Sequence, residues 1–209
     1  MRINQSTFSN LWRLFQITIG ATFAKRRLLR RYYNNESSVL EVGCSLGNLT
    51  PAFAPYHNMT YLGVDIDSRV IGYAKKSFRN IENVSFVCAD LRKMSREEKF
   101  DLVMLPGMLH HVSDELLVEL LRSACELVSV GGRLLITDPL ETSSSDPLMY
   151  RIFMKLEQGK FLRSKEELDK LVSSAVDLEL LSSEVVPVYP TFIKVPKVCD
   201  FRVYYFQKS

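Results

Sequence analysis

Between residues 39 and 137 short apolar runs alternate with stretches of helical periodicity, and this alternation constrains the fold more than any other feature. Residues 39–42, 61–64, 84–87, 100–105 and 133–137 read as five short strands. The intervening segments read as helices. Residues 46–56 form the first, with Pro51 in its opening turn. Asp67 caps a second that runs to Phe78, and Ser95 opens a short one through a capping pair with Glu98. Ser113 or Asp114 starts a long amphipathic helix to Val128, and Gly131-Gly132 turns the chain into the fifth strand. Strands joined in succession by helices give a mostly parallel sheet covered on both faces, the α/β class.

The pattern loosens after Asp138. Residues 141–146 make a serine-rich polar loop, and 149–156 read as a helix. Ser164 and Glu167 form another capping pair, starting a helix to Ser174. Residues 178–186 and 201–206 read as two final strands, joined by a connection that holds Pro187, Pro190 and Pro196. At the other end, Phe8, Leu11, Trp12, Phe15 and Ile19 fall at helical steps, and the helical region ends in Lys25, Arg26, Arg27, Arg30 and Arg31. Cations at a helix C-terminus are favoured by the macrodipole, so a solvated helix end is the plain reading of that run.

The composition excludes several classes. A net charge of +3 is mild and gives no reason to expect nucleic acid as a partner. Cys44, Cys88, Cys125 and Cys199 are scattered without a C-x-x-C pair, which argues against a disulfide framework or zinc. No metal ligand set is expected. Three of the four lie in apolar stretches and read as small core residues. The apolar run 14–24 follows basic residues and ends in Thr22-Phe23-Ala24, but Gln16 and two threonines break it, so it reads as an amphipathic helix and not as a secretory leader. No stretch is long enough to span a membrane, and a cytoplasmic protein is expected.

The first strand runs straight into Glu41-Val42-Gly43-Cys44-Ser45-Leu46-Gly47, where small residues recur at 43, 45 and 47. A strand-to-helix turn without bulky side chains lets a ligand approach the backbone. Eighteen residues after Gly47 the second strand ends at Asp65, whose carboxylate can accept both hydroxyls of a ribose. A dinucleotide site wants G-x-G-x-x-G, so Ser45 and Asn48 are wrong for it. Residues 43–47 also match G-x-S-x-G, the nucleophile elbow of serine hydrolases, with aspartates and then His110 and His111 following in order. The context for an elbow is poor, because no earlier strand and loop exist to build an oxyanion hole.

The third reading rests on resemblance. Glu41-x-Gly43-x-Ser45-x-Gly47 resembles the first motif of class I S-adenosylmethionine-dependent methyltransferases, with Ser45 where that family often has glycine. Residues 62–67 (Leu-Gly-Val-Asp-Ile-Asp) resemble the second motif, residues 86–91 (Phe-Val-Cys-Ala-Asp-Leu) the third, and residues 100–105 and 130–136 the fourth strand and the turn into the fifth. The resemblance spans about residues 38–138 in order. It implies a Rossmann-like seven-stranded sheet with helices on both faces and an antiparallel last strand, which suits residues 201–206.

The resemblance further implies S-adenosyl-L-methionine as cofactor, held by Glu41, Gly43, Cys44, Ser45 and Gly47 in the first motif, with Asp65 on the ribose beside Ile66. Asp90 faces the adenine amino group beside Leu91, and Leu105 and Pro106, where the fourth strand passes into its loop, also touch the cofactor. The chain is then one methyltransferase domain: an N-terminal helical cover at 1–36, a cofactor-binding core at 38–138, and a lid, final helix and two strands at 139–209.

The loop after the fourth strand carries His110 and His111, either of which can take a proton from the acceptor or simply order the loop. His57 reads as a surface residue. The loop has neither an Asn-Pro-Pro-Tyr run nor an acidic cluster for magnesium, and the pattern resembles enzymes of small metabolites. The expected partner is therefore a small-molecule acceptor. The N-terminal helix, Tyr150, Phe153 and Met154, and Tyr189, Phe192 and Lys194 are candidates for its pocket, and the basic run favours an anionic or membrane-borne acceptor. A binding or interaction module without transfer activity remains the alternative, and the sequence carries no signature of oligomeric state.

Overall fold

The structure is a computed structural model that describes residues 21–148, 151, 154, 159–189, 197 and 199–209. Seven strands form one sheet: β1 (Ser38–Val42), β2 (Thr60–Asp65), β3 (Val84–Cys88), β4 (Phe100–Pro106), β5 (Val128–Pro139), β6 (Glu179–Val188) and β7 (Cys199–Gln207). Their order is β3-β2-β1-β4-β5-β7-β6. The β1–β2, β1–β4, β2–β3 and β4–β5 pairs are parallel, whereas β7 runs antiparallel to both β5 and β6. This is the mostly parallel sheet with an antiparallel last strand that the sequence implies. The order reverses between β1 and β4, and the crevice outside the carboxyl ends of such strands is where open α/β sheets bind ligands.

Side chains alternate across the strands with period two, which divides the core into two layers. Val39, Leu102, Met104 and Leu135 pack on one face with Phe53 and Tyr61. Leu40, Val103, Leu105 and Leu134 pack on the other. Helix α1 (Ala21–Tyr32) covers the first layer through Leu28, Leu29 and Tyr32, and α2 (Ser68–Ser77) adds Ile71 and Ala74. Helices α3 (Asp114–Leu127) and α4 (Lys165–Ala175) cover the second through Leu117, Leu121, Leu168 and Val172. The caps follow side-chain chemistry: Asp67 accepts from Arg69 N, Ser113 from Leu116 N, and Ser164 with Glu167 closes a full capping box.

Two expected helices are absent. Residues 46–56 form turns and a three-residue 3₁₀ helix, Thr50–Ala52. Pro51 and Pro55 have no N–H to bond the carbonyls of residues 47 and 51, and Ser45 and Gly47 have positive φ, so a regular helix cannot start there. Ser95 opens no helix either, its hydroxyl accepting only from Glu97 N at 3.3 Å. Residues 96–99 offer no apolar face to bury, and a short helix without tertiary packing is marginal. A 3₁₀ turn, Leu91–Lys93, capped by Asp90, precedes that position. Strand β5 begins earlier than expected and takes in Gly131-Gly132, while β6 extends through Pro187.

The basic run of α1 is more than a solvated helix end. Arg26 Nε donates to Asn48 O at 2.7 Å, and Arg30 donates to Ala52 O and Pro51 O at 3.0 Å each. These guanidinium groups supply donors to carbonyls that the irregular segment after β1 leaves unpaired. Cys44 and Cys199 are buried and Cys125 half-buried, while Cys88 is exposed, and no disulfide joins any of the four. His57 lies on the surface as expected. No helix among the described residues is long and apolar enough to cross a membrane. Residues 8–19 of the expected amphipathic helix, Met149, Tyr150 and Phe153 of the expected lid, and Phe192 and Lys194 lie outside the described residues.

Candidate functional site

The turn after β1 is built from residues that put backbone close to open space. Gly43, Ser45 and Gly47 all have left-handed φ, +73°, +50° and +75°. A Cβ on Gly43 would meet Met108 Cβ at 3.0 Å, and one on Gly47 would meet Phe78 Cε2 at 2.7 Å. Ser45 holds a conformation that costs a residue with a Cβ about 1–2 kcal/mol. That explains in conformational terms why glycine suits the same position. The turn is tied to the neighbouring strand: Gly43 N and Cys44 N donate to Val64 O at 2.8 and 3.1 Å. Asp65, at the end of β2, closes it. Its Oδ2 accepts from Ser45 N and its Oδ1 from Asp67 N, both at 3.0 Å. Each carboxylate oxygen keeps a second acceptor site for a ligand.

A cavity of about 510 Å³ opens over this turn. Glu41, Gly43, Cys44, Ser45, Asp65, Ile66, Asp90, Leu91, Pro106, His110 and His111 all line it. Of the expected site residues, Gly47 and Leu105 are not on its wall. Gly47 shapes the turn from behind, and Leu105 is fully buried in the core layer under α3. Ile66 stands 77% exposed at the rim, an apolar side chain that no core needs. Asp90 turns its carboxylate to its own neighbour: Arg92 N and Nε donate to Oδ1 at 3.0 Å, and Arg92 Nη2 to Oδ2 at 2.7 Å. The sequence gives no sign of this fork, which occupies part of the carboxylate's acceptor capacity and holds Asp90 below its usual pKa through the Arg92 hydrogen bonds.

Glu41 is the most deeply set acid, 1% exposed between Gly63 of β2 and Met104 of β4. Tyr61 Oη donates to Glu41 and accepts from Thr50 Oγ1 at 3.2 Å. Burial pushes the Glu41 carboxyl up to about 8 from the usual 4.5, against the Tyr61 hydrogen bond and with a further upward push from the Asp65 charge. The carboxyl is then largely neutral near pH 7.

At the opposite wall, His110 and His111 lie in a 3₁₀ turn, Leu109–His111, directly after β4. His110 is buried and His111 exposed, with their ring centroids 4.1 Å apart. His110 Nδ1 lies 3.0 Å from Asp138 Oδ1, which also accepts from Leu109 N at 3.0 Å. The Leu109 N–H and the imidazole thus meet the same carboxylate oxygen, which orients the His110 ring by its Nδ1 side. Arg163, 5% exposed, fixes this loop by donating to Leu109 O and Val112 O at 3.0 and 2.8 Å and pairing with Asp114, while it also donates to Phe161 O of its own segment at 3.0 Å. Asp138, Arg163 and Thr22 were not singled out from the sequence as site residues. Asp138 had a signal: like Asp65, it is an acid in the carboxyl-terminal part of a parallel strand. Arg163 had none.

The methyltransferase-domain family model matches residues 39–132, the stretch that builds this turn and cavity. That stretch, less than half of the chain, is similar to a methyltransferase domain. It is similar to the malonyl-[acyl-carrier protein] O-methyltransferase of Priestia megaterium, 25% identical over 187 residues that cover 86% of this chain and 65% of that protein. The curated relatives it matches are longer, and the chain spans between 32% and 65% of their length. In fold it is similar to the mitomycin 7-O-methyltransferase MmcR, with a TM-score of 0.72 and 16% identity over 96% of this chain and 57% of that one. It is also similar to the N-methyltransferase NodS of Bradyrhizobium japonicum in complex with S-adenosyl-L-homocysteine, with a TM-score of 0.62 and 16% identity over 99% and 90% of the two chains. At these identities the structures establish the fold.

The wall suits the family's cofactor on three counts. The volume lies within the range of about 300–1,000 Å³ usual for small-ligand pockets. Side chains at 43 and 47 would collide with Met108 and Phe78, so the turn leaves backbone facing the ligand. The acidic groups at 41, 65 and 90 suit hydroxyls and a cation, not a pyrophosphate.

The proton on Glu41 gives a pH prediction. A carboxyl whose folded pKa is raised binds its proton more tightly folded than unfolded, so its contribution to stability is present at low pH and lost as pH rises from about 4.5 through about 8. Urea unfolding of the ligand-free protein should show stability falling over that window, with a shallower fall in Glu41→Gln. Identical pH profiles for the two proteins would contradict the assignment.

Proposed function

We propose that this chain transfers a methyl group from S-adenosylmethionine to a small, partly apolar acceptor, and that the cavity over the 43–47 turn is where the nucleoside binds. The single observation that carries this reading is Asp65, a carboxylate oriented by two backbone N–H groups at the end of β2, on the rim of a cavity floored by a left-handed, side-chain-poor turn.

Asp65 would accept the ribose hydroxyls, with Ile66 beside it covering one face of the base. Gly43, Cys44 and Ser45 would present backbone to the rest of the nucleoside, Pro106 would border it where β4 ends, and Asp90 and Leu91 would flank the base. Glu41 would ionise when a cationic group enters, since a nearby positive charge lowers a carboxyl pKa. When bound, S-adenosylmethionine supplies a methyl carbon on a sulfonium, open to in-line displacement. The protein's own task is then to place the acceptor and exclude water.

His110 is the proposed base. Asp138 orients its ring and would stabilise the imidazolium formed when Nε2 takes the acceptor's proton, while Arg163 holds the loop in place. His111 lines the same wall and would contact the acceptor. Phe161 N donates to His110 O at 3.0 Å, so the segment after β5 already leans on this loop, as a cover would. The malonyl-[acyl-carrier protein] relative, which by its name methylates an oxygen, supports oxygen as an acceptor atom here. An acceptor that is anionic or carried at a membrane, and a cytoplasmic setting, belong to the same proposal.

The geometry disfavours the hydrolase reading. A nucleophile elbow sits between a strand and a helix, but Ser45 is followed by turns, and its N–H is bonded to Asp65.

Calorimetry with S-adenosylhomocysteine and NAD tests the binding half. The expected result is binding of the former, no response to NAD, and at least about a tenfold loss in Asp65→Ala, as removal of charged hydrogen bonds predicts. Tight NAD binding without a response to S-adenosylhomocysteine would overturn it.

The catalytic half is tested by radiolabel transfer from S-adenosylmethionine into extract metabolites. His110→Ala should lower kcat by about 10²- to 10⁴-fold with cofactor affinity unchanged. Asp138→Asn should shift the pH profile of kcat. An unaltered kcat and pH profile in both variants would leave His110 a structural residue.

A further inference from the structure

We propose that Tyr61 is the positioning residue for Glu41: it holds the carboxyl by one oxygen and leaves the other for a cationic group in the cavity. Glu41 lines the cavity, whereas Tyr61 and Thr50 stand behind it, outside the lining. All three are buried, none more than 1% exposed. Thr50 Oγ1 donates to Tyr61 Oη at 3.2 Å, and Tyr61 Oη donates to Glu41 Oε2. A hydroxyl has a single proton, so this chain runs one way, toward the acid. Among the described residues Glu41 has no other hydrogen-bond donor, and its Oε1 has no partner. Phenylalanine at 61 would pack the same core, and the phenol's only acceptor is Glu41.

The chain is held from three elements. The Tyr61 ring stacks on Phe53, with centroids 6.0 Å apart, and meets Phe86 edge-on at 6.1 Å. Thr50 opens the 3₁₀ helix whose neighbouring carbonyls, Pro51 O and Ala52 O, accept from Arg30 of α1. The phenol oxygen is thereby fixed from β2, from the segment after β1 and, through that segment, from α1.

A buried carboxylate with one hydrogen bond is short of partners, and a cation that meets Oε1 supplies both charge and donor. The surroundings leave the balance to Tyr61. Asp65, at the end of β2, opposes ionisation of Glu41, and Arg26 of α1 favours it. The Cys44 thiol of the turn is pushed up by burial and stays neutral, and the register neighbour on β4 is the uncharged Met104. The other ionisable groups on the cavity wall are Lys25, Asp67, Asp90, Arg92, His110 and His111. The Tyr61 hydrogen bond favours the ionised carboxyl against burial, so its loss should make Glu41 harder to ionise. The inference rests on the proposed function in taking the cation from S-adenosylmethionine, whose ammonium and sulfonium are the two sources of that charge.

The test compares wild type with Tyr61→Phe, Thr50→Val and Glu41→Gln, each checked for folding by circular dichroism. In the ligand-free proteins, infrared difference spectra across a pH titration read the protonated carboxyl band that Glu41→Gln abolishes. The expected midpoint is about 8 in wild type. It should rise by about one pH unit or more in Tyr61→Phe, and by less in Thr50→Val.

Calorimetry against pH then uses three probes: S-adenosylhomocysteine, which carries the ammonium; the dimethylsulfonium of deoxyadenosine, which carries only the sulfonium; and neutral methylthioadenosine. Wild-type affinity for the probe whose cation meets Glu41 should fall by up to about tenfold per pH unit below the Glu41 midpoint. Tyr61→Phe should weaken that probe by about tenfold or more near neutral pH and leave methylthioadenosine unchanged. The probe that responds identifies the source of the charge. An unchanged midpoint in Tyr61→Phe, or equal weakening of all three probes with an unaltered pH profile, would overturn the proposal. Should Tyr61→Phe not fold, Thr50→Val decides by the same readings. A wild type that bound no nucleoside would instead refute the functional reading, and the ligand-free titration would still judge Tyr61.

Discussion

The grip of Asp65 on two backbone N–H groups is the contact on which the candidate site depends. The turn after β1 has left-handed φ at three alternating positions, one of them a serine, and such a backbone persists only when its surroundings hold it. The parallel pairing of β1 with β2 places Asp65 beside the turn, and Ser45 N meets Oδ2 at 3.0 Å. One carboxylate thus fixes the floor of the cavity and faces its interior. The bonds from Gly43 and Cys44 to Val64 O lock the same two strands together at their ends. Sheet topology, turn conformation and ligand chemistry converge at this point, at the crevice where the strand order reverses.

The opposite wall repeats the device with another strand. Asp138, at the carboxyl-terminal end of β5, reaches across to Leu109 N and His110 Nδ1 of the loop after β4. Arg163, in a segment more than 20 residues further on, adds bonds to two carbonyls of that loop, Leu109 O and Val112 O, and so ties the segment after β5 to the histidines. Buried polar groups that are satisfied in this way order a loop tightly, and loss of one partner leaves the others unpaired at considerable cost. The wall that carries the histidines is thus held as firmly as the turn after β1, although by residues with no recognisable motif.

The five-strand core was legible because its signal is local. Apolar runs, capping residues and the small-residue turn each act within a few positions, and Asp67, Ser113 and Ser164 cap their helices by that chemistry. The segment 46–56 misled because apolar periodicity favoured a helix while Pro51, Pro55 and the positive φ of Gly47 forbade one. Ser95 and Glu98 misled because a capping pair is insufficient without an apolar face behind it. The ring of residues around His110 was hidden for another reason. Asp138 and Arg163 are 28 and 53 residues away in sequence, and only the pairing of β5 beside β4 brings Asp138 into reach. The basic run on α1 looked like one feature, but the fold divides it, sending two arginines to backbone carbonyls and one lysine to the cavity.

The most direct measurement is a crystal structure of the protein soaked with S-adenosylhomocysteine. The account predicts density for the nucleoside over the 43–47 turn, with Asp65 within hydrogen-bonding distance of the ribose hydroxyls and the sulfur directed toward the wall that carries His110 and His111. A nucleoside bound elsewhere on the molecule, with the Asp65 carboxylate still facing empty solvent at saturating ligand, would contradict it.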